Sequence, residues 1–193
     1  MHLDKAKTIF ISGSAYEYGK FGEIGKPFIK HLSKALLKND FKIVSGFGLG
    51  VGSHVVDGAI DEIHLKRKEQ ITDHLQCFPF PHENKSKTTM SAYRSNMISR
   101  AGAVLFIFGN KLEDISIKEA DGVLEEFEIA RSNKAMLIPV GASGYVAEKL
   151  WKRVVEEYDD YFETRDKFDL VEQLGNPSTA PETLIDLIIR IAS

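Results

Sequence analysis

The sequence predicts an α/β domain in which a Rossmann-like parallel sheet is flanked by helices and followed by a helical C-terminal tail. Three observations support this fold class. Five apolar runs have strand length, an amphipathic helical pattern follows each run, and consecutive helices follow Val140. The runs lack polar alternation, which indicates strands covered on both faces. Strands that alternate with helices form parallel sheets with right-handed connections.

The predicted strands and helices alternate along the first 140 residues. The strands are expected at residues 8–12, 41–45, 75–80, 103–108 and 135–140. Between them, apolar residues spaced three or four apart form helical stripes that begin at Phe28, Val51, Met90 and Val123. Pro27 suits the first turn of the first helix, because its missing N–H has no helical partner there.

The tail, about residues 144–193, reads as helix upon helix over 146–158, 167–174 and 181–191. Leu184, Leu187, Ile188 and Ile191 make the last helix more apolar than a free helix would be. We expect the tail either to pack on the sheet or to form a contact between subunits. Residues 1–193 are long enough for one domain with one core, which is the expected organisation.

Composition excludes several classes of function. The net charge of −3 gives no global basic field for nucleic acid or anionic membranes. The single cysteine, Cys77, cannot form an internal disulfide, and a reducing compartment suits it. No apolar stretch approaches the roughly 20 residues that cross a bilayer, and residues 1–5 do not resemble a signal peptide. We therefore expect a cytoplasmic protein without nucleic-acid or membrane partners.

Two glycine-rich segments follow the first two strands, where ligands of open parallel sheets bind. The candidate ligand-binding residues in them are Gly13, Ser14, Ala15, Gly46, Phe47, Gly48, Leu49 and Gly50. Glycine lets a phosphate or ribose approach main-chain N–H groups, and a helix N-terminus favours an anion. Neither segment has the GxGxxG or P-loop pattern. The alternative is that these glycines only supply tight turns.

Three charged side chains are placed to meet a ligand in the same region. Arg94 flanks the buried stripe of the helix before the fourth strand, where its guanidinium can fork onto a phosphate or a carboxylate. Lys111 follows Gly109 at the end of the fourth strand and suits a phosphate. Glu126 follows Gly122 in the next helix and suits a ribose diol or a glycosidic bond. The plainer alternatives are a surface arginine, a solvated lysine and an acid that complements a helix N-terminus.

Other chemistry finds little support in the sequence. By its spacing from the apolar stripe, Glu125 points roughly opposite to that stripe, so we expect only Glu126 to face a pocket. The six histidines and the single cysteine show no spacing typical of a zinc site, and no GxSxG nucleophile motif occurs. We therefore expect no metal site.

Taken in order, four segments resemble the SLOG superfamily, which includes the Lonely Guy phosphoribohydrolases and DprA-like proteins. They are SGS at 12–14, SGFGLG at 45–50, YRSNM at 93–97 and GVLEE at 122–126, and the match runs from Thr8 to about Val140. The enzymes carry an arginine-lysine-x-x-Met motif and a PGGxGTxxE helix start, with arginine and glutamate acting on an N-glycosidic bond. Here Ser95 replaces the lysine, and the PGG and the threonine are missing.

A closer resemblance is to the C-terminal SLOG domains of the sirtuin-like, NAD-cleaving effectors of bacterial Thoeris anti-phage defence. It implies a sensor that binds a cyclic ADP-ribose isomer made by a TIR-domain partner and releases the NADase activity of an N-terminal domain. It also implies ligand contacts by Arg94, Lys111, Glu126 and both glycine segments, with no catalytic residue or cofactor in this domain. The resemblance also leads us to expect a homo-oligomer. In such an assembly, a ligand that prefers one arrangement of the subunits can shift the equilibrium toward that arrangement.

Three functional hypotheses follow from these residues. The first is a sensor that binds a cyclic ADP-ribose signal without turnover. The second is a nucleoside 5′-monophosphate phosphoribohydrolase that uses Glu126 and Arg94, against which the missing PGG and threonine argue. The third is an oligomerisation module with an empty pocket.

Overall fold

The computed structural model describes residues 4–65, 70–80 and 86–193. Its strands are β1 (Thr8–Ser14), β2 (Lys42–Ser45), β3 (Leu75–Cys77), β4 (Ala103–Phe108), β5 (Asn110–Glu113), β6 (Ser116–Glu119) and β7 (Met136–Pro139). Five of them form a parallel sheet in the order β3-β2-β1-β4-β7. The predicted fold class is confirmed, and each predicted strand is present. β3 ends at Cys77, before Pro79, which has no N–H to donate to a ladder.

Helices cover both faces of the sheet, since β4 is buried along its whole length. They are α1 (Gly25–Lys38), α2 (Gly52–Leu65), α3 (Lys87–Ile98), α4 (Asp121–Ser132), α5 (Tyr145–Glu156), α6 (Phe168–Gln173) and α7 (Pro181–Ala192). The predicted stripes lie on buried sides: Phe28 and Leu32 of α1 and Val123 and Phe127 of α4 are all buried. Burial of these stripes against the sheet is what stabilises helices of this length.

The order of the strands creates a crevice beside β1. The chain passes from β1 to β2 and β3 on one side, and then returns to β4 on the other side of β1. The carboxyl ends of β1 and β4 are therefore neighbours, with Ser14 opposite Phe108. In open α/β sheets this change of direction is where ligands bind.

A short antiparallel hairpin of β5 and β6 follows β4, and the sequence analysis did not predict it. Leu112 and Ile117 face each other across it, and Asp114 in its turn has a φ of 56°. Lys111 therefore lies on a strand rather than in the loop that was expected. Polar and charged residues dominate both strands, so the hairpin has no apolar run of the kind that marks a core strand.

The C-terminal tail packs on the body of the domain. The apolar side chains of α7 that were singled out in the sequence are at most 3% exposed: Leu184, Leu187, Ile188 and Ile191. They lie against α1, α6 and β7. The expectation that the tail packs on the sheet is confirmed, whereas the alternative of a subunit contact through these side chains is wrong, because the chain itself already covers them.

Within residues 4–65, 70–80 and 86–193, every helix is too short or too polar to cross a bilayer.

Candidate functional site

A buried carboxylate forms the centre of the site. Glu126, in the second turn of α4, is 6% exposed and accepts a hydrogen bond from the Ser12 hydroxyl of β1, with Oγ and Oε2 2.5 Å apart. Its other oxygen, Oε1, lies 3.5 Å from Nε of Arg94 on α3. This is an ion-pair distance, and the buried Nε makes no hydrogen bond within the described part of the chain. One carboxyl group thus joins β1, α3 and α4.

Burial changes the chemistry of this carboxyl. It raises the pKa of Glu126 from 4.5 to about 7, although the Ser12 hydrogen bond and the Arg94 charge act in the opposite direction. Burial dominates because the charged form loses its hydration. Near neutral pH, Glu126 is therefore present in both protonation states, and it can donate as well as accept a hydrogen bond.

The shortest ion pair of Arg94 is with Glu125. Its Nη1 lies 2.9 Å from Glu125 Oε2, and the Ser91 hydroxyl donates to the other oxygen of that carboxylate. The expectation that Glu125 points away from the site is wrong. Because α3 packs directly against α4, two consecutive acids of α4 both reach α3.

The guanidinium of Arg94 is enclosed by other groups as well. It lies over the ring of Phe80, with Cζ 5.0 Å from the centroid. A Cβ added at Gly122 would lie 2.8 Å from Nη2, so only glycine lets the guanidinium approach the start of α4 this closely. The Arg94 side chain is 14% exposed. It is therefore a largely buried arginine, and the alternative of a surface arginine is wrong.

The two glycine segments pack against each other. A Cβ at Gly48 would lie 2.0 Å from the carbonyl oxygen of Gly13, and one at Gly50 would lie 1.8 Å from that of Ala15. The Ala15 N–H donates to the Leu49 carbonyl at 2.7 Å, so the segments form one unit. Close approach of the two loops is thus a sufficient reason for Gly48 and Gly50.

Asn110 organises the first of these segments, and sequence reasoning missed it. This buried side chain accepts hydrogen bonds from the N–H groups of Tyr16 and Glu17, at 2.9 and 3.1 Å, and donates to the Glu17 carbonyl at 2.9 Å. Its position directly after Gly109 at a strand end was the available signal. Because these amides are bonded inside the protein, the loop offers its exposed side chains more than its N–H groups.

Exposed apolar side chains border the same edge of the sheet. Phe47 is 44% and Leu49 71% exposed, although both follow a buried strand. Phe47 has a φ of 56°, and its N–H is bonded to the Ser45 hydroxyl at 3.1 Å. Gly46, the residue before Phe47, faces the interior. A Cβ added there would lie 3.4 Å from the side chains of Met97 and Phe80. The second segment thus presents apolar surface beside Phe80 and Arg94.

Lys111 lies on the hairpin, next to the start of α4. Its Nζ is 2.9 Å from Asp121 Oδ2 and 3.5 Å from Glu113 Oε1. The hydrogen bond with Asp121 raises the pKa of Lys111. A cavity of about 420 Å³ is lined by Lys111, Asp121 and other hairpin residues. Lys111 is therefore paired with acids rather than simply solvated.

The structure brings Arg94, Glu126 and Ser12 together, whereas Lys111 pairs with Asp121 at the start of α4. Asp121, the partner of Lys111, precedes Gly122, the residue against which Arg94 lies. Both cations thus approach the first turn of α4 and already face carboxylates. In the described residues, no group of three or more His, Cys, Asp or Glu side chains could hold a metal ion.

Comparison with known proteins identifies relatives along nearly the whole chain. The chain is 41% identical over 188 residues to the NAD(+) hydrolase ThsA of Bacillus cereus (strain MSX-D12), a match that covers 96% of this chain and 40% of that protein. It is 39% identical over 192 residues to ThsA of Cytobacillus dafuensis, covering 95% and 39%. The chain thus spans about 40% of the length of these relatives.

A solved structure and a family model agree with this result. The X-ray structure of TM1055, a structural genomics target, matches with a TM-score of 0.53 at 13% identity, over 76% of this chain and 81% of that chain. At such low identity the likeness bears on the fold alone. The model of the family described as "STALD: Sir2- and TIR-associating SLOG family" matches residues 2–193. The resemblance to the SLOG superfamily is confirmed, and the chain belongs to the Sir2- and TIR-associating SLOG family.

Proposed function

We propose that this chain is the sensor domain of a Thoeris-type anti-phage effector and that its signal is a cyclic ADP-ribose isomer. Its relatives bear the name NAD(+) hydrolase ThsA, and it spans about 40% of their length. Residues 1–193 would then form one nucleotide-binding module, joined in the parent protein to an N-terminal sirtuin-like domain that cleaves NAD. The parent protein would act in the cytoplasm as a homo-oligomer.

One observation carries the assignment of the site. Arg94, Glu126 and Ser12 meet inside the domain, beside the strand ends where the direction of the sheet changes. A buried carboxyl with a raised pKa next to a buried arginine is typical of functional sites, because such a group lowers the stability of the fold. A second cation, Lys111, approaches the same helix start.

The proposed ligand matches these groups in charge and shape. Two linked phosphates carry two negative charges, and Arg94 and Lys111 are two cations that could pair with them. A ribose diol both donates and accepts hydrogen bonds, as Glu126 can near neutral pH. Phe47 and Leu49 offer exposed apolar surface to a base. The proposed ligand-binding residues are Gly13, Ser14, Ala15, Gly46, Phe47, Gly48, Leu49, Gly50, Arg94, Gly109, Lys111, Gly122 and Glu126.

Binding would regulate the NAD-cleaving domain by shifting an equilibrium between two arrangements of the parent protein. A ligand can do this only by its differential affinity for the two arrangements, typically about 1–3 kcal/mol of coupling. A sensor of this kind needs no turnover of its ligand, which agrees with the missing PGG and threonine of the hydrolase motif.

Calorimetry tests the proposal with a panel of cyclic ADP-ribose isomers, ADP-ribose and NAD. We expect at least one cyclic isomer to bind, and Arg94→Ala to weaken binding by roughly 1.5–3 kcal/mol through loss of a charged hydrogen bond. Arg100→Ala is the matched control, because this exposed arginine near the end of α3 stacks on Phe78 outside the site. Binding of no panel member would contradict the sensor and favour an oligomerisation module.

A phosphoribohydrolase is the second candidate, and the pKa of Glu126 favours it. A carboxyl that titrates near pH 7 can protonate a departing base as a general acid. We expect no release of free base from AMP. If the wild-type chain releases free base from AMP and Glu126→Gln does not, the chain is an enzyme and the sensor proposal fails.

A further inference from the structure

Arg94 has contacts on three sides of its guanidinium. Nη1 bonds to Glu125 at 2.9 Å, Nε faces Glu126 at 3.5 Å, and Nη2 lies against the main chain at Gly122. With 14% of the side chain exposed, little of the guanidinium remains open to a further anion. A phosphate that forks onto Nη1 and Nη2 would meet Glu125 at Nη1, so the two anions compete for this end of the guanidinium.

The two carboxylates differ in how easily they leave. The Glu126 side chain is 8% exposed and is tied to β1 by the Ser12 hydroxyl. The Glu125 side chain is 28% exposed, and its other partner is Ser91, on the same helix as Arg94. Glu125 can rotate toward water and regain hydration, whereas Glu126 has no such route. Of the partners of Arg94, Glu125 is thus the one that a ligand can replace.

We infer that Glu125 is a built-in competitor for the phosphate of the ligand and thereby determines specificity. This inference rests on the proposed function of the site. A ligand without phosphate gains nothing by breaking the Arg94–Glu125 pair. A ligand with two linked phosphates replaces that pair and adds a contact with Lys111. An internal carboxylate of this kind lowers the affinity for weakly charged ligands more than the affinity for strongly charged ones. It therefore selects against the wrong ligands.

Glu125→Gln tests the inference, because it removes the negative charge while keeping the size of the side chain. Titrations of the wild-type chain and the variant would use the same panel of cyclic ADP-ribose isomers, ADP-ribose and NAD, with adenosine as the ligand without phosphate, whose affinity we expect Glu125→Gln to leave unchanged. We expect Glu125→Gln to bind the phosphate-bearing ligand about two- to fivefold more tightly, the range expected for a partly exposed ion pair. Glu128→Gln is the matched control: it removes the same charge from an exposed site on α4 whose partners are Arg153 and Arg131.

Each outcome bears on a different statement. Unchanged or weaker binding by Glu125→Gln overturns the competitor role, and it leaves the proposed function standing if the wild-type chain binds. An equal gain in Glu128→Gln also overturns it, since the effect would then come from net charge. If neither the wild-type chain nor Glu125→Gln binds any panel member, the proposed function and this inference both fail. Should Glu125→Gln not fold, Glu125→Asp, with a shorter carboxylate, is expected to show a smaller gain in affinity, and no gain overturns the inference.

Discussion

The Ser12 hydroxyl lies 2.5 Å from the carboxyl of Glu126, and both residues are buried. This bond joins β1 to α4 across 114 positions of sequence. It holds one oxygen of Glu126 in place, while the other faces Arg94. The carboxyl is thus held in one orientation, and such preorganisation would lower the entropic cost of binding the proposed ligand.

Glu126→Gln should change how stability depends on pH. The pKa of Glu126 is about 7 in the folded chain and 4.5 in the unfolded reference. Between these values the folded chain keeps a proton that the unfolded chain has lost, so the free energy of unfolding falls as pH rises. We expect the wild-type chain to lose about 3 kcal/mol relative to Glu126→Gln from pH 4.5 to 7.5. Denaturant unfolding at several pH values measures this, and parallel profiles would contradict it.

Ser12→Ala should raise the pKa of Glu126 further, because the Ser12 hydrogen bond lowers it. We expect a loss of about 1–2 kcal/mol in unfolding free energy at pH 8, where the carboxyl is charged, and a smaller loss at pH 5. Ser33→Ala is the control, since Ser33 is also buried but, among the residues that the structure describes, its hydroxyl donates to the Ile29 carbonyl of its own helix. Equal losses at both pH values in Ser12→Ala would show that the hydroxyl does not act through Glu126.

The sequence was sufficient for the fold because burial and local pattern agree. The apolar run that became β4 has no polar residue, and a strand buried on both faces requires just such a run. Spacing placed Arg94 and Glu126 beside helical stripes and left a surface arginine and a helix-complementing acid as alternatives. The family resemblance favoured ligand contacts for both residues, and in the structure their side chains meet.

Contacts between side chains on different helices and strands could not be predicted from the sequence. Glu125 does lie off the apolar stripe of α4, as its spacing predicts. Whether it contacts Arg94 depends on how closely α3 approaches α4, and no local sequence pattern gives that distance. Asn110 looks like an ordinary loop residue, yet it is buried because the loop after β1 folds over it. The hairpin that begins at Asn110 was missed because exposed short strands carry little apolar signal.

Gly48→Ala should destabilise the chain through a clash. Its Cβ would lie 2.0 Å from the Gly13 carbonyl oxygen, a distance that requires the two loops to separate. We expect a loss of about 3 kcal/mol in unfolding free energy, together with weaker ligand binding.

Gly22→Ala is the contrast, because its φ is +47° and nothing lies within 4 Å of the added Cβ. It should lose about 1–2 kcal/mol from backbone strain and keep its affinity. Unchanged affinity in Gly48→Ala would show that the packing of the two loops does not contribute to ligand binding.

Asn110→Ala should cost about 2–4 kcal/mol of unfolding free energy, because three main-chain groups of the loop after β1 lose their partner. Asn39→Ala is the control: its side chain makes one exposed hydrogen bond, to the Ala35 carbonyl, and its loss should be well below about 1 kcal/mol. Chemical denaturation of both variants measures the difference. Similar small losses would mean that water replaces Asn110 without penalty.

Lys111→Ala should weaken ligand binding while leaving stability nearly unchanged. Its ion pairs with Asp121 and Glu113 are partly exposed, and pairs of this kind contribute about 0–1 kcal/mol to folding. A phosphate contact of a partly exposed lysine would be lost in the ligand complex, so affinity should fall about two- to fivefold. Lys152, an exposed lysine of α5 that pairs with Glu148, is the matched control. Calorimetry should show wild-type affinity for Lys152→Ala. An equal loss in both variants would point to the net charge of the chain, and no loss in Lys111→Ala would remove this lysine from the site.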